Sequence, residues 1–187
     1  MRKIALTLLI ALATAGCAEM TVDEYKDAGQ TLALEDYFLG QTRAWGIFED
    51  RFGNVQREFV VDIEGTWNGK QLTLREDFVY KDGERETREW KLDKTGPDTW
   101  TGTTDNVVGI ATGRTAGNAF NWRYDFNLKV EDSTWKVHFN DWMFLQPNGV
   151  LLNKATVSRW GIKIGTVFIS FQKSNSAAAT DAAEEAA

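Results

Sequence analysis

The chain has 187 residues, with 21 basic and 27 acidic side chains and a formal net charge of −6. This acidic balance excludes a protein that binds nucleic acid through its phosphates, and it disfavours attraction to anionic lipid. The chain contains one cysteine and one histidine. An internal disulfide is therefore excluded, and a zinc site lacks a credible set of ligands, so we predict no metal and no other cofactor.

The N-terminus resembles the signal peptide of a bacterial lipoprotein. Arg2 and Lys3 precede an uncharged apolar run, 4–13, and the small residues before Cys17 resemble a lipobox. A helix of this apolar run is about 15 Å long, roughly half the hydrocarbon core of a bilayer, so we expect no permanent membrane span. We predict that residues 1–16 are removed and that Cys17 is acylated. The alternative is a periplasmic protein cleaved nearby with a free thiol.

Acylation of Cys17 predicts where the protein works. Each buried methylene contributes about 0.8 kcal/mol, so several fatty chains together form an essentially permanent anchor. Ala18 is not the aspartate that resembles an inner-membrane retention signal. For a Gram-negative source we therefore predict a lipid-anchored protein of the cell envelope, at the outer membrane and facing the periplasm, with a mature net charge of −8 from 19 basic and 27 acidic residues.

The mature chain divides into three parts. We predict a lipidated N-terminus and polar spacer at 17–31, one β-domain at 32–173 that begins with a short helical turn, and a disordered acidic tail at 174–187. The tail has no large apolar residue, so burial cannot offset its ordering entropy.

Alternating apolar and polar residues indicate antiparallel strands between residues 40 and 173, with a turn signal about every ten residues. The pair Asn68-Gly69 favours a two-residue hairpin that pairs Gly65 with Leu72. A three-residue loop at 81–83 places Glu76 opposite Arg88, and both then point inward.

The clearest strand follows further along, at 120–130, where the alternation has no fault. A turn at 131–134 predicts that Phe126 pairs with Phe139 and that Asp141 lies opposite Tyr124 on the inward face.

About nine or ten such strands follow one another with short loops and form one antiparallel meander. If this sheet closes into a barrel, it has no exposed edge strands. We predict an all-β, up-and-down barrel of about 8–10 strands, lipocalin-like, with a β-sandwich as the alternative. Outward positions carry charges along several strands, which excludes a transmembrane barrel.

Four short segments are similar to one known family: 105–111, 117–119, 140–143 and 153–154. The chain resembles the proteobacterial lipoproteins of domain-of-unknown-function family 3833, over about residues 39–173. The resemblance implies an envelope lipoprotein with a lipocalin-like barrel, and it implies no catalytic residue.

Polar residues that interrupt the apolar interior are the candidates for function. A buried charge is costly unless it is paired, so Glu76 and Arg88 either fix the sheet register as an ion pair or anchor the polar head of a ligand. Asp141 has a structural and a functional interpretation as well: a buried carboxylate satisfied by its neighbours, or a polar group that meets a ligand. The candidate ligand-binding residues are Glu76, Arg88, Trp90, Trp122, Tyr124, Asp141 and Asn153.

Two aromatic residues alternate outward on the strand that carries Asp141: Trp142 and Phe144. Such a pair suggests a contact surface for a partner protein, a position for a capping helix, or a membrane-facing rim. His138 is also predicted to point outward, to solvent. Three hypotheses follow: a module that binds a lipid or another small apolar ligand in its barrel, an interaction lipoprotein with a filled barrel, and an enzyme of lipid modification using Glu76 or Asp141. No catalytic motif supports the third.

Overall fold

The computed structural model describes residues 20–130 and 132–174. The predicted signal peptide, the lipidation of Cys17 and all but the first residue of the predicted tail lie outside these ranges. Within the described chain, no helix has the length and apolar character needed to cross a bilayer.

Ten strands follow a 3₁₀ turn, Val22–Tyr25, and a short helix α1, Leu34–Tyr37. In chain order they are β1 Gly40–Asp50, β2 Val55–Trp67, β3 Gln71–Tyr80, β4 Arg85–Lys94, β5 Thr99–Thr103, β6 Val107–Ala116, β7 Ala119–Val130, β8 Ser133–Leu145, β9 Leu151–Arg159 and β10 Ile162–Lys173. A second 3₁₀ turn, Pro147–Gly149, joins β8 to β9.

The strands form one closed antiparallel barrel in which every strand pairs with its neighbours in the chain, and β1 pairs with β10. The pairing of β1 with β10 runs from Thr42 opposite Lys173 to Asp50 opposite Gly165. The prediction of an up-and-down barrel is therefore confirmed, and the sandwich alternative is wrong. Closure satisfies the backbone donors and acceptors that an open meander would leave at its two edge strands.

Helix α1 closes one end of the barrel, which we call the closed end. Its Tyr37 hydroxyl lies 3.0 Å from the carbonyl oxygen of Gly149 and 3.1 Å from that of Phe171, so it ties the helix to the barrel wall. The next residue, Phe38, packs so closely on β2 that a Cβ atom at Gly65 would lie 1.8 Å from the Phe38 carbonyl oxygen. Glycine is required at this point because any side chain would push the helix away.

The half of the barrel next to α1 is packed with large apolar side chains. Its buried members include Leu32, Leu34, Leu72, Leu74, Trp90, Leu92, Trp100, Phe120, Trp122, Leu151 and Phe171. Burial of such side chains contributes about 1.5–3 kcal/mol each and is the main source of stability in a chain without disulfides.

The opposite half, towards the open end, is packed less completely. Its core cluster has three buried members, Phe126, Val137 and Val157. The surrounding inward side chains stay half-buried, and they include Tyr80, Glu86, Arg88, Tyr124, Leu128, Trp135 and Phe139. The barrel is thus filled at its closed end, while the inward side chains towards its open end are more exposed, and we call this second half the cup.

Two predicted registers differ from the structure by two residues. Gly65 pairs with Leu74, and not with Leu72, because four residues, 68–71, separate the paired Trp67 and Leu72, where the predicted turn has two. Asn68 accepts hydrogen bonds from the backbone N–H groups of Lys70 and Gln71 in this turn. A shift of two residues keeps every side chain on its predicted face.

The β7–β8 turn is tighter than predicted. Val130 pairs with Ser133, and Asp141 therefore lies opposite Trp122, while Tyr124 lies opposite Phe139. The predicted pair of Asp141 with Tyr124 is wrong as a register, although both side chains still point inward.

The segment predicted to be a polar spacer is packed on the outside of the barrel over residues 22–28. Val22 is buried, and Asp23 forms a salt bridge with Arg114 of β6. Tyr25 sits so close to the β6–β7 turn that a Cβ atom at Gly117 would lie 1.8 Å from its carbonyl oxygen. The described part of this segment is therefore packed on the barrel rather than extended away from it.

Candidate functional site

Ionisable side chains meet inside the barrel where the packed half gives way to the cup. Glu76 of β3 pairs across the strands with Arg88 of β4, as predicted. The Arg88 guanidinium, however, makes its close contact with Glu86, 2.8 Å away, and the other Glu86 oxygen accepts a hydrogen bond from the Tyr80 hydroxyl at 3.0 Å. The charges of Glu76 and Arg88 attract each other across the strands, but the close salt bridge of the guanidinium is with Glu86.

Glu76 keeps no close polar partner of its own among the described residues. Burial raises the pKa of its carboxyl group from 4.5 to about 7, and the positive charge of Arg88 offsets only part of this effect. The negative charges of Glu86 and Asp141 raise it further. An acid with this pKa exchanges its proton near neutral pH.

Asp141 is the second buried acid, and only 4% of it is exposed. Burial raises its pKa from 3.8 to about 7, while hydrogen bonds from Asn153 and Tyr124 lower it in part. The Asn153 Nδ2 atom lies 3.4 Å from Asp141 Oδ1, and the Asn153 Oδ1 atom is buried without a partner among the described residues. Burial and the neighbouring Asp141 charge in turn raise the pKa of Tyr124 well above its usual value.

Aromatic rings surround these polar groups. Trp90 makes edge-to-face contacts with Trp122 and Tyr124, at 5.8 and 5.2 Å between ring centroids, and Tyr124 stacks on Phe139 at 5.0 Å. The Arg88 guanidinium lies over the Phe78 ring at 4.9 Å. All seven predicted ligand-binding residues therefore point into the barrel.

Alternation could have revealed two further residues of this site. Glu86 lies two positions before Arg88, and Phe139 two positions before Asp141, so each shares the face of its partner. The pattern gives the face reliably, but it does not give the side-chain rotamer that turns Arg88 towards Glu86.

The charges of the site favour hydrogen-bond donors over anions. Three acids, Glu76, Glu86 and Asp141, face one cation, and that cation is already bound by a carboxylate. Near neutral pH the two acids with raised pKa values can each hold or release a proton. In the described part of the chain, no group of three acidic, histidine or cysteine side chains could hold a metal ion.

The predicted partner surface is covered by the chain itself. Trp142 and Phe144 point outward as expected, but Trp142 is only 8% exposed because Tyr25 packs on both rings, at 6.2 and 5.0 Å between centroids. The prediction of an exposed aromatic pair is thus wrong. His138 is exposed as predicted, and its Nδ1 atom lies 2.9 Å from an Asp125 oxygen.

Exposed aromatic side chains occur instead at the open end, where the sequence analysis missed them. Phe52 lies in the β1–β2 turn and is 75% exposed, and Trp160 lies in the β9–β10 turn and is 84% exposed. Their signal was present in the sequence, because each ring is followed directly by a glycine at a turn: Phe52-Gly53 and Trp160-Gly161.

Comparisons with known proteins agree with the fold and with the resemblance seen in the sequence. The S-type phycobiliprotein lyase CPES from Guillardia theta is similar in structure, with a TM-score of 0.57 over 78% of this chain and 94% of that chain. Its sequence is 8% identical, so the likeness concerns the fold alone. No curated protein matches the sequence. A family model described as "Protein of unknown function (DUF3833)" matches residues 11–173, which is most of the chain, and the protein therefore belongs to this family.

Proposed function

We propose that the protein is an envelope lipoprotein, anchored at the outer membrane through acylated Cys17, whose barrel binds a small apolar ligand such as a lipid. The observation that carries this proposal is the change along the barrel axis, from a packed half to a half-open cup whose floor holds Glu76, Arg88 and Asp141. A barrel that served only as a scaffold would gain stability from filling the cup, since buried charges cost more than apolar side chains.

The ligand has an apolar body and a head that donates hydrogen bonds. Aromatic walls suit the body, and the carboxylates of Glu76 and Asp141 suit a hydroxyl or amine head. A carboxylate head would be repelled, because the single cation Arg88 is neutralised by Glu86. We assign no catalytic residue, and an enzyme of lipid modification using Glu76 or Asp141 remains the weaker hypothesis.

A second alternative, an interaction lipoprotein that acts through Trp142 and Phe144, is weaker than the ligand-binding proposal. A partner would first have to displace Tyr25 and the Asp23–Arg114 salt bridge from the barrel wall.

Native mass spectrometry followed by lipid extraction tests the ligand. The chain from Ala18 onward, expressed in the cytoplasm of a lipid-containing host, should carry a reproducible bound molecule. Glu76→Gln should lower the bound fraction, whereas Glu64→Gln, at an exposed outward position of β2, should leave it unchanged. A clean unliganded mass and an empty extract would contradict a ligand-binding barrel.

The anchor has its own test. The intact mass of the protein purified from membranes should equal the chain beginning at Cys17 plus fatty acyl groups, and Cys17→Ala should leave the signal peptide uncut. A mature protein that begins elsewhere and carries no acyl group would contradict the lipoprotein assignment.

A further inference from the structure

A groove of about 840 Å³ crosses the outside of the barrel wall. We call it the outer groove. Its walls are outward side chains from six neighbouring strands, and they include Phe144, Leu152, Phe168, Trp45, Ile47, Val60 and Val79. Gly46 of β1, an inward position, also borders the groove between the outward residues Trp45 and Ile47.

The sheet register makes this apolar surface continuous. Phe144 pairs with Leu152, Leu152 with Ser170, Ser170 with Trp45, and Trp45 with Val60. Apart from one serine, each step places another apolar side chain in the same row across the wall.

The apolar side chains of the outer groove are accessible. Trp45 is 45% exposed, Leu152 44% and Phe168 37%. Contiguous exposed apolar surface of this kind marks a contact site in soluble proteins.

The N-terminal segment leads directly to the outer groove. Met20, the first described residue, receives a contact from the Tyr25 hydroxyl, which lies 2.9 Å from its sulfur atom. Tyr25 in turn packs on Phe144, which lines the groove. The chain therefore reaches the barrel wall beside the groove, near the closed end of the barrel.

Cys17 precedes Met20 by three residues, and three fully extended residues span at most about 10 Å. If Cys17 carries acyl chains inserted in a bilayer, as the proposed function holds, the bilayer surface lies within that distance of Met20. The wall beside Met20 must then lie close to the lipid, because the segment after Met20 is packed on the barrel.

The open end lies farther from Met20 than the part of the groove near the closed end does. Leu152 and Trp160 are eight residues apart along β9 and its turn, or about 26 Å at 3.3 Å per residue. Phe52 and Trp160 therefore lie farther from the Cys17 link than Phe144 and Leu152 do, although they are more exposed than the groove residues.

The charges around the outer groove suit a zwitterionic surface. Lys81 is bound to Glu58, at 2.5 Å between the charged atoms, while Lys154 is exposed beside the groove. Tryptophan is enriched where a membrane meets water, because its ring is apolar and its indole N–H is polar.

We propose that the outer groove is a membrane-docking face, which lies on the headgroup and acyl boundary of the bilayer that holds the Cys17 anchor. This inference rests on the proposed acylation. It places the part of the groove near the closed end, at Phe144 and Leu152, nearest the bilayer, and it tilts the mouth of the cup away from the membrane.

Site-specific fluorescence of the acylated, full mature protein in phosphatidylcholine vesicles tests the orientation. The sulfur of Cys17 is blocked by acylation, so a cysteine introduced by Leu152→Cys in the groove, or by Ile162→Cys at the open end, is the one free thiol for an environment-sensitive dye. We expect brominated phosphatidylcholine to quench the label at position 152 and to leave the label at position 162 unchanged.

Three results would overturn the docking face: quenching at position 162 alone, equal quenching at both positions, or quenching at neither. Native tryptophans give a second measurement that needs no label. Trp45→Phe should abolish a component of quenching by brominated lipid, whereas Trp160→Phe should not, and the reverse pattern would also overturn the proposal.

The intact mass of the purified protein distinguishes a failure of the proposed Cys17 anchor from a failure of the docking face. Absence of acyl groups would remove the proposed anchor and the docking face together. An acylated protein whose groove is not quenched would overturn the docking face and leave the anchor and the ligand-binding barrel standing.

Discussion

Replacing Asp141 by asparagine should make the protein less sensitive to pH. In the folded chain the pKa of Asp141 is raised from 3.8 to about 7 by burial, so the folded state binds a proton that the unfolded state has already lost. The contribution of Asp141 to the free energy of unfolding is complete below its pKa in the unfolded chain, 3.8. This contribution is lost as the pH rises from that value towards 7, and it stays lost above pH 7.

The size of this effect follows from the same two values. A tenfold change in proton affinity corresponds to about 1.4 kcal/mol, so the difference between 3.8 and about 7 amounts to roughly 4 kcal/mol. Asparagine has nearly the same shape, its Oδ1 can still accept from Asn153, and it does not titrate. We therefore expect Asp141→Asn to be the more stable form at pH 8, with little difference at pH 4.

Urea unfolding of the chain from Ala18 onward, followed by far-ultraviolet circular dichroism at pH 4, 6 and 8, measures the difference between variant and parent. Asp125→Asn is the control of opposite sign, because hydrogen bonds from Lys136 and His138 lower the pKa of that outward carboxyl group. This control should lose stability at pH 8. An unchanged pH dependence in Asp141→Asn would refute the assignment of a buried, protonated acid.

Three further substitutions test the ends of the barrel. Gly65→Ala should destabilise the chain by roughly 1–3 kcal/mol, because its methyl group overlaps the Phe38 backbone, whereas Gly29→Ala, in open space, should be neutral in thermal unfolding. Tyr37→Phe should cost about 1–3 kcal/mol in urea unfolding, since it removes the donor to the carbonyls at the closed end. Tyr25→Ala should release residues 20–28, seen as faster amide exchange, and should red-shift tryptophan fluorescence as Trp142 becomes exposed; unchanged exchange would mean that Tyr25 does not hold the segment.

Alternation of apolar and polar residues was sufficient to predict the barrel and the face of nearly every site residue. The pattern has a period of two, so an error of two residues in a turn leaves each side chain on its face. This is why Asp141 was placed inward although its strand partner was wrong. The turn lengths themselves depend on local hydrogen bonds, such as those accepted by Asn68, which alternation does not encode.

Contacts between distant segments were the part that could not be predicted. The sequence shows Tyr25 in a polar stretch, and nothing in that stretch indicates that its ring covers Trp142 and Phe144. Equally, Arg88 has two acids within reach on its side of the sheet, and its choice of Glu86 depends on a rotamer fixed by the Phe78 ring.

The pairing of β1 with β10 sets the order of events in biosynthesis. The strand that completes the barrel is the last one made, so β1 has no partner on one side until residues 162–173 are available. Contacts between such distant parts of a chain form slowly. A polypeptide that cannot complete its sheet until β10 is available stays unfolded longer. A chain truncated before β10 would keep two open strand edges and aggregate.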